Sequence, residues 1–199
     1  MSEADLWPEV AGHSRLISGE VRAVYQHRHD VPQVVWRELF ASATDDIGIL
    51  AYSGLFLAED ASIMRSMAER AREGVKVRVL LGDPDSPEVA ARGTDENIGP
   101  DVMAARIRNA LALYRPLYGL QGIEIRLHAT VLYNSIYRAD HMILVNTHAY
   151  GIPAAQAPVT HLQADENEGS AAIYLDSFER VWTGAKPYTI SAETITRQR

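Results

Sequence analysis

The chain has no cysteine, which excludes disulfides, thiolate nucleophiles and Cys-ligated zinc or iron–sulfur centres. It has no basic excess: 19 Lys+Arg stand against 26 Asp+Glu, a formal charge of −7. A domain built to coat nucleic acid normally carries surplus positive charge, so that role is not expected. A local phosphate-binding pocket stays compatible with this balance. No apolar run approaches the ~20 residues of a membrane span. The acidic start lacks the basic-then-apolar layout of a secretory signal. These absences predict a soluble cytoplasmic protein with no membrane partner. There is no G-x-G-x-x-G and no Walker sequence, so no nucleotide cofactor, and no cofactor of any kind, is predicted. The G-x-S-x-G elbow of serine hydrolases is missing too.

What is present is ordinary globular material. The 199 residues are 47% hydrophobic and 23% charged, enough to bury a core. Residues 1–33 read as an N-terminal arm or short helix, 34–186 as a single domain and 187–199 as a polar tail. Val35, Trp36, Leu39 and Phe40 recur at helical spacing. Ile47 to Tyr52 reads as a buried strand and Ala61 to Glu73 as a helix, stopped by Gly74 at a C′ position. Val75 to Leu81 is a strand leading into the turn residues Gly82-Asp83-Pro84-Asp85-Ser86-Pro87. A helix from Asp101 to about Tyr118 would bury Val102 or Met103, Ile107, Ala110, Leu111, Tyr114 and Leu117. Ile123 to His128 alternates as a strand. Tyr133–Ala139 and Met142–His148 form a hairpin about Asp140-His141. Val159–Gln163 is a last strand. After the polar stretch 165–169, a helix from Ser170 to Thr183 turns Ile173, Tyr174, Phe178, Val181 and Trp182 inward. The order predicts an α/β fold with a mostly parallel sheet flanked by helices.

Ligands of such folds sit at the carboxyl edge of the parallel strands. That edge would gather Tyr52, Ser53, Asp83, Asp85, His128, Thr130, Asn134, Ser135, Asn146, His148 and His161. Imidazole, amide and hydroxyl groups in this number suit a small anion such as a phosphate or carboxylate. His128, His148 and His161 are far apart in sequence and lack H-E-x-x-H or H-x-H spacing, so no metal is predicted there. Arg92 is placed to pair with Asp83 or Asp85, or to meet the anion. His27-Arg28-His29-Asp30 reads as a solvated or dimer-facing cluster, and Trp36 and Trp182 as core.

Several stretches carry a resemblance: Val24 to Arg28, Ile49 to Leu57, Val77 to Ser86, Arg126 to His128, Leu132 to Asp140, Leu144 to Gly151 and Ser177 to Trp182. They resemble the C-terminal domain of actinobacterial regulators that begin with an XRE-type helix-turn-helix. That domain in turn is similar to the phospholipase D fold. The resemblance implies a His-x-Lys-x4-Asp signature, with a nucleophilic His, a phosphate-holding Lys and half-sites paired across two repeats or two subunits. Started at His128, that register meets Thr130 in place of Lys and Ser135 in place of Asp, with Asp140 displaced. Loss of the Lys removes a charge that stabilises the transferring phosphoryl group. The resemblance therefore implies a catalytically degenerate sensor that binds a small anionic ligand. It implies a homodimer, and DNA contact only through a helix-turn-helix module absent from this chain. The alternative is a phosphodiesterase or nuclease with His128 as nucleophile.

Overall fold

The computed structural model describes residues 20–164 and 169–189. The chain opens with β1 (Val21–Tyr25), a 3-10 turn over Arg28–Asp30 and α1 (Gln33–Ala41). β2 (Asp46–Ala51), α2 (Leu55–Ala58), α3 (Ala61–Arg72) and β3 (Lys76–Gly82) follow. Next come α4 (Pro87–Asp95), α5 (Pro100–Leu113) and β4 (Ile123–His128). The hairpin β5 (Asn134–Ala139) and β6 (Met142–Thr147) leads to β7 (Val159–Gln163), α6 (Ser170–Gly184) and β8 (Lys186–Pro187).

One sheet runs in the order β1-β7-β6-β5-β2-β3-β4-β8. Only β2 with β3 and β3 with β4 pair in parallel, and the other neighbours are antiparallel. The α/β class with flanking helices is as expected, but the sheet is mixed rather than mostly parallel. The hairpin β5–β6 joins the open side of β2, and β7 and then β1 add antiparallel beyond it. Two short elements fall where an arm and a tail were read. Residues 21–25 form an edge strand on β7, and Lys186–Pro187 pairs with β4. The remainder of both segments, residues 1–19 and 190–199, lies outside the described residues, as does most of the polar stretch 165–169.

Side-chain alternation assigns the two faces of the sheet. Trp36 and Phe56 meet Tyr137 edge-on, with ring centroids 5.0 and 5.7 Å away, so α1 and α2 cover one face. Arg138, next along β5, points to the other face, where α6 lies. There Phe178 packs beneath Arg78 and Arg138, and Trp182 packs beneath Arg126, 4.3 Å from its guanidinium. Gly48 leaves room for this: a Cβ there would stand 2.8 Å from the Arg138 chain and 3.0 Å from Phe178. Arg78 and Arg138 both pair with Asp46 and Glu179, which ties α6 to three strands.

Of the alternatives Val102 and Met103, Met103 is the buried one, Val102 being 45% exposed. One core assignment changes: Ile173 is 68% exposed on the outer side of α6. α4 falls where only a turn was read. Ser86 caps it, accepting a 3.2 Å hydrogen bond from the Val89 amide, with Pro87 at the first helical position.

Candidate functional site

The carboxyl ends of β2, β3 and β4 come together with the start of β5 and the end of β6. A cavity of about 90 Å³ opens at this edge. Its polar lining is Arg28, Ser53, Glu96, Arg106, Ser135 and His148, with Tyr52 and Tyr137 as ring walls. Each lining residue is delivered by a local device. Tyr52-Ser53-Gly54 is the turn after β2, and Gly54 sits at φ +56° to open α2. Arg28 reaches in from the turn after β1, which is pinned by the Arg28 amide bonding Ala157 O at 2.9 Å. Arg106 and Met103, three apart on α5, share the face that meets the cavity.

Ser135 and His148 form a hydrogen-bonded pair. The imidazole Nδ1 lies 3.1 Å from Leu132 O, so it carries the proton and donates. Nε2 is then the acceptor and takes the Ser135 hydroxyl at 3.0 Å. Burial, with Arg92 and Arg28 nearby, pushes the His148 pKa down to about 4. The ring is neutral at physiological pH and is a weak base. Glu96 contributes little free charge, because Arg92 holds it from Nε at 2.8 Å and Nη2 at 2.6 Å. Arg28 and Arg106 form no ion pair among the described residues, and Arg28 lies 4.1 Å over the Phe56 ring. Among the charged residues lining the cavity, Arg28 and Arg106 are thus the cations not offset by a paired carboxylate among the described residues. The Tyr137 hydroxyl, fully buried at the cavity wall, has no hydrogen-bond partner among the described residues.

Of the residues expected at this edge, the fold brings Tyr52, Ser53, Ser135 and His148 to the cavity. The others are elsewhere or otherwise engaged. His128 is 2% exposed. Its Nε2 donates to Ala51 O at 3.2 Å, and its Nδ1 accepts the Thr130 amide at 3.3 Å. Both nitrogens are spent inside the fold, so the ring presents none to a ligand, and Thr130 serves it through its backbone. Asn146 is fully buried and clasps Ala157 O and Pro158 O at 3.2 and 3.1 Å. Asn134 lies opposite Thr147 in the hairpin and does not line the cavity. His161 lines a separate groove with Val35, Leu39 and Met142. Asp83 closes its own turn by accepting the Asp85 amide at 3.1 Å, and exposed Asp85 pairs with Arg108 at 2.6 Å. Arg92 pairs with Glu96 rather than with either aspartate. Sequence reasoning missed Arg28 and Arg106. The only signal for Arg106 was its three-residue offset from Met103.

The two histidines set an acid response. Burial brings the His128 pKa down to about 4 from an ordinary 6.5, and His148 matches it. An unfolded chain takes up these protons below about pH 6.5, and the folded chain does so only near pH 4. The histidine contribution to stability is therefore full above about pH 6.5, falls as pH drops to about 4, and levels off below. Each ring accounts for at most about 3 kcal/mol of that fall. Urea melts at about pH 7.5 and about pH 4.5 should show a marked drop for wild type and a smaller one for His128→Gln.

No protein-family model matches the sequence, and no curated protein matches it. Solved structures do match in fold. TrmBL2, an archaeal chromatin protein, superposes with a TM-score of 0.53 at 14% identity, over 92% of this chain and 60% of that one. The chain thus spans well under two thirds of TrmBL2. NucT from Helicobacter pylori gives 0.52 at 10% identity, over 83% of this chain and 98% of its own. Phosphatidylserine synthase from Haemophilus influenzae gives 0.51 at 12% identity, over 85% of this chain and 40% of its own. NucT and the synthase are phospholipase D-family folds. The chain has a phospholipase D-like α/β fold. No helix among the described residues is long and apolar enough to cross a membrane.

Proposed function

We propose that this domain binds a small anion, phosphate-like in charge and size, in the cavity between Arg28 and Arg106, and that it does not hydrolyse phosphodiesters. The observation that carries the reading is two arginines, without carboxylate partners among the described residues, sharing one small cavity with the Ser53 hydroxyl and the His148-bonded hydroxyl of Ser135. At about 90 Å³, the cavity is smaller than the roughly 300 Å³ at which drug-sized pockets begin. A bare oxyanion or a single phosphoryl head fits it better than a nucleotide.

The catalytic alternative has little support. His128, its nucleophile, has both nitrogens occupied. Anchored at Asp140 instead of His128, the His-x-Lys-x4-Asp spacing puts Tyr133 and Ser135 in the first two places. Neither residue can replace the imidazole nucleophile or the ammonium. Ser135 on His148 has the layout of an activated hydroxyl, but a base held near pKa 4 takes a serine proton poorly.

The wider reading is a ligand sensor in a transcriptional regulator, acting as a homodimer, with DNA contact through a helix-turn-helix outside this sequence. The shared fold with TrmBL2, a DNA-binding chromatin protein of greater length, supports it. The test is hydrolysis of a generic chromogenic phosphodiester by wild type, His128→Ala and His148→Ala, with and without a divalent metal. The expected result is no turnover from any of the three. Turnover by wild type that either substitution abolishes would establish an enzyme and overturn the binding reading.

A further inference from the structure

We propose that His27, His29 and Asp30 form a binding site for one divalent transition-metal ion of the zinc type. The three side chains sit on the turn that follows β1, and their ligand atoms all lie within 4.8 Å of one another. His27 Nδ1 is 2.8 Å from Asp30 Oδ2, and His29 Nε2 is 3.5 Å from Asp30 Oδ1. Ligands about 2.0–2.1 Å from a tetrahedral zinc stand about 3.3 Å from one another, so each histidine lies near that distance from one oxygen of Asp30, and the whole set closes within 4.8 Å.

Two further features fit an ion rather than a chance cluster. His29 Nδ1 lies 2.9 Å from Ala155 O and donates to it, which fixes the ring and leaves Nε2 with its lone pair toward Asp30. Bound imidazoles are oriented in this way, by a backbone carbonyl on the far nitrogen. The Asp30 carboxylate is fixed as well, because its Oδ2 accepts the His27 amide at 3.1 Å. The two rings stack 6° from parallel with centroids 5.0 Å apart, so their in-plane lone pairs lie in parallel planes and one exposed ring must tilt to close on a common ion.

Two imidazoles and one carboxylate favour zinc, cobalt, nickel or copper over magnesium or calcium, which prefer all-oxygen shells. An ion here would replace the proton shared by His27 Nδ1 and Asp30 Oδ2. Its other positions would be left to water. The His-x-His spacing is met at His27 and His29, on an open surface turn where an ion has direct access. The same turn sends Arg28 into the cavity, and Ala155 belongs to the cavity wall. The metal site does not depend on the anion reading.

The experiment is calorimetric titration of the full chain with zinc chloride at about pH 7.5, where free imidazoles are neutral. Wild type should bind one equivalent with a Kd of roughly 10 μM or tighter. His29→Ala and Asp30→Ala should each weaken binding by ten-fold or more, on the order of the loss of one ligand. His141→Ala, in the exposed hairpin turn, should leave it unchanged. Circular dichroism of each variant checks that the fold is kept; all three positions of the cluster are at the surface, so it should be. Weaker binding by wild type, or binding that survives both cluster substitutions, would overturn the proposal.

Discussion

Replacing Arg28 and Arg106 together by alanine is expected to abolish phosphate binding. Each guanidinium can give a charge-assisted hydrogen bond to an oxyanion, worth about 1.5–3 kcal/mol. Losing one should weaken binding about 10- to 100-fold, and losing both should put it beyond measurement. The reason is local. Neither arginine has a carboxylate partner among the described residues, and the nearby Glu96 is neutralised by Arg92. Arg28 also packs on Phe56, so Arg28→Lys is the informative single change. It keeps the charge and loses the flat contact and the fork of donors. Calorimetric titration with inorganic phosphate separates the cases. Binding that persists in the double variant would move the anion site elsewhere.

Asp140→Ala is expected to cost about 2–4 kcal/mol of folding stability, the loss of several hydrogen bonds to one carboxylate. Asp140 closes the β5–β6 hairpin at φ +50°. Its Oδ1 accepts the amides of Asp45 and Asp46, both at 2.9 Å, and its Oδ2 accepts the Thr44 amide at 2.8 Å and hydroxyl at 3.0 Å. One side chain thus holds the entry to β2 against the end of β5. That junction sets the register of the pairing Ile47↔Ala139 to Leu50↔Ile136, and with it the position of Ser135 beside Tyr52. Alanine loses the bonds and tolerates the left-handed backbone poorly. Asparagine tolerates that backbone and keeps part of the network, so Asp140→Asn should cost about half as much. For a chain of this size, 3 kcal/mol corresponds to a fall of about 6–12 °C in Tm. Thermal melts of the two variants measure both effects, and an Asp140→Ala protein with an unchanged Tm would contradict this account of the junction.

The central strands were readable because their residues are buried on both faces. Ile47 to Ala51 is a continuous run of apolar and small residues and Val77 to Gly82 is one broken only by half-buried Arg78, both bounded by polar turns. The β5–β6 hairpin was readable from two apolar runs about Asp140-His141. β1 was not, because Val21–Tyr25 is an edge strand with exposed Val21 and Val24, and its partner β7 lies far along the sequence. α4 was hidden by the prolines and glycines around it, though Ser86-Pro87-Glu88 is a helix-start signature.

The site was half legible for a related reason. The rule that ligands collect at the carboxyl edge of parallel strands points to Tyr52, Ser53, Ser135 and His148, which line the cavity there. It cannot tell which polar end residues face the cavity and which are consumed by neighbouring backbone, as His128 and Asn146 are. Nor can it see residues delivered from outside the strands. Arg28 arrives from the turn after β1, on a segment read as an arm, and Arg106 from a helix face. The His-x-His test failed at 128, 148 and 161, although His27 and His29 meet it. Chemistry was sought on the strands while part of it lay on the turn before α1.

The most direct test of the anion reading is a crystal of the protein soaked in tungstate, a heavy tetrahedral stand-in for phosphate. The account predicts one strong anomalous peak between the Arg28 and Arg106 guanidinium groups, within hydrogen-bond reach of Ser135. A cavity without a peak, in crystals where tungstate has bound elsewhere on the molecule, would contradict it.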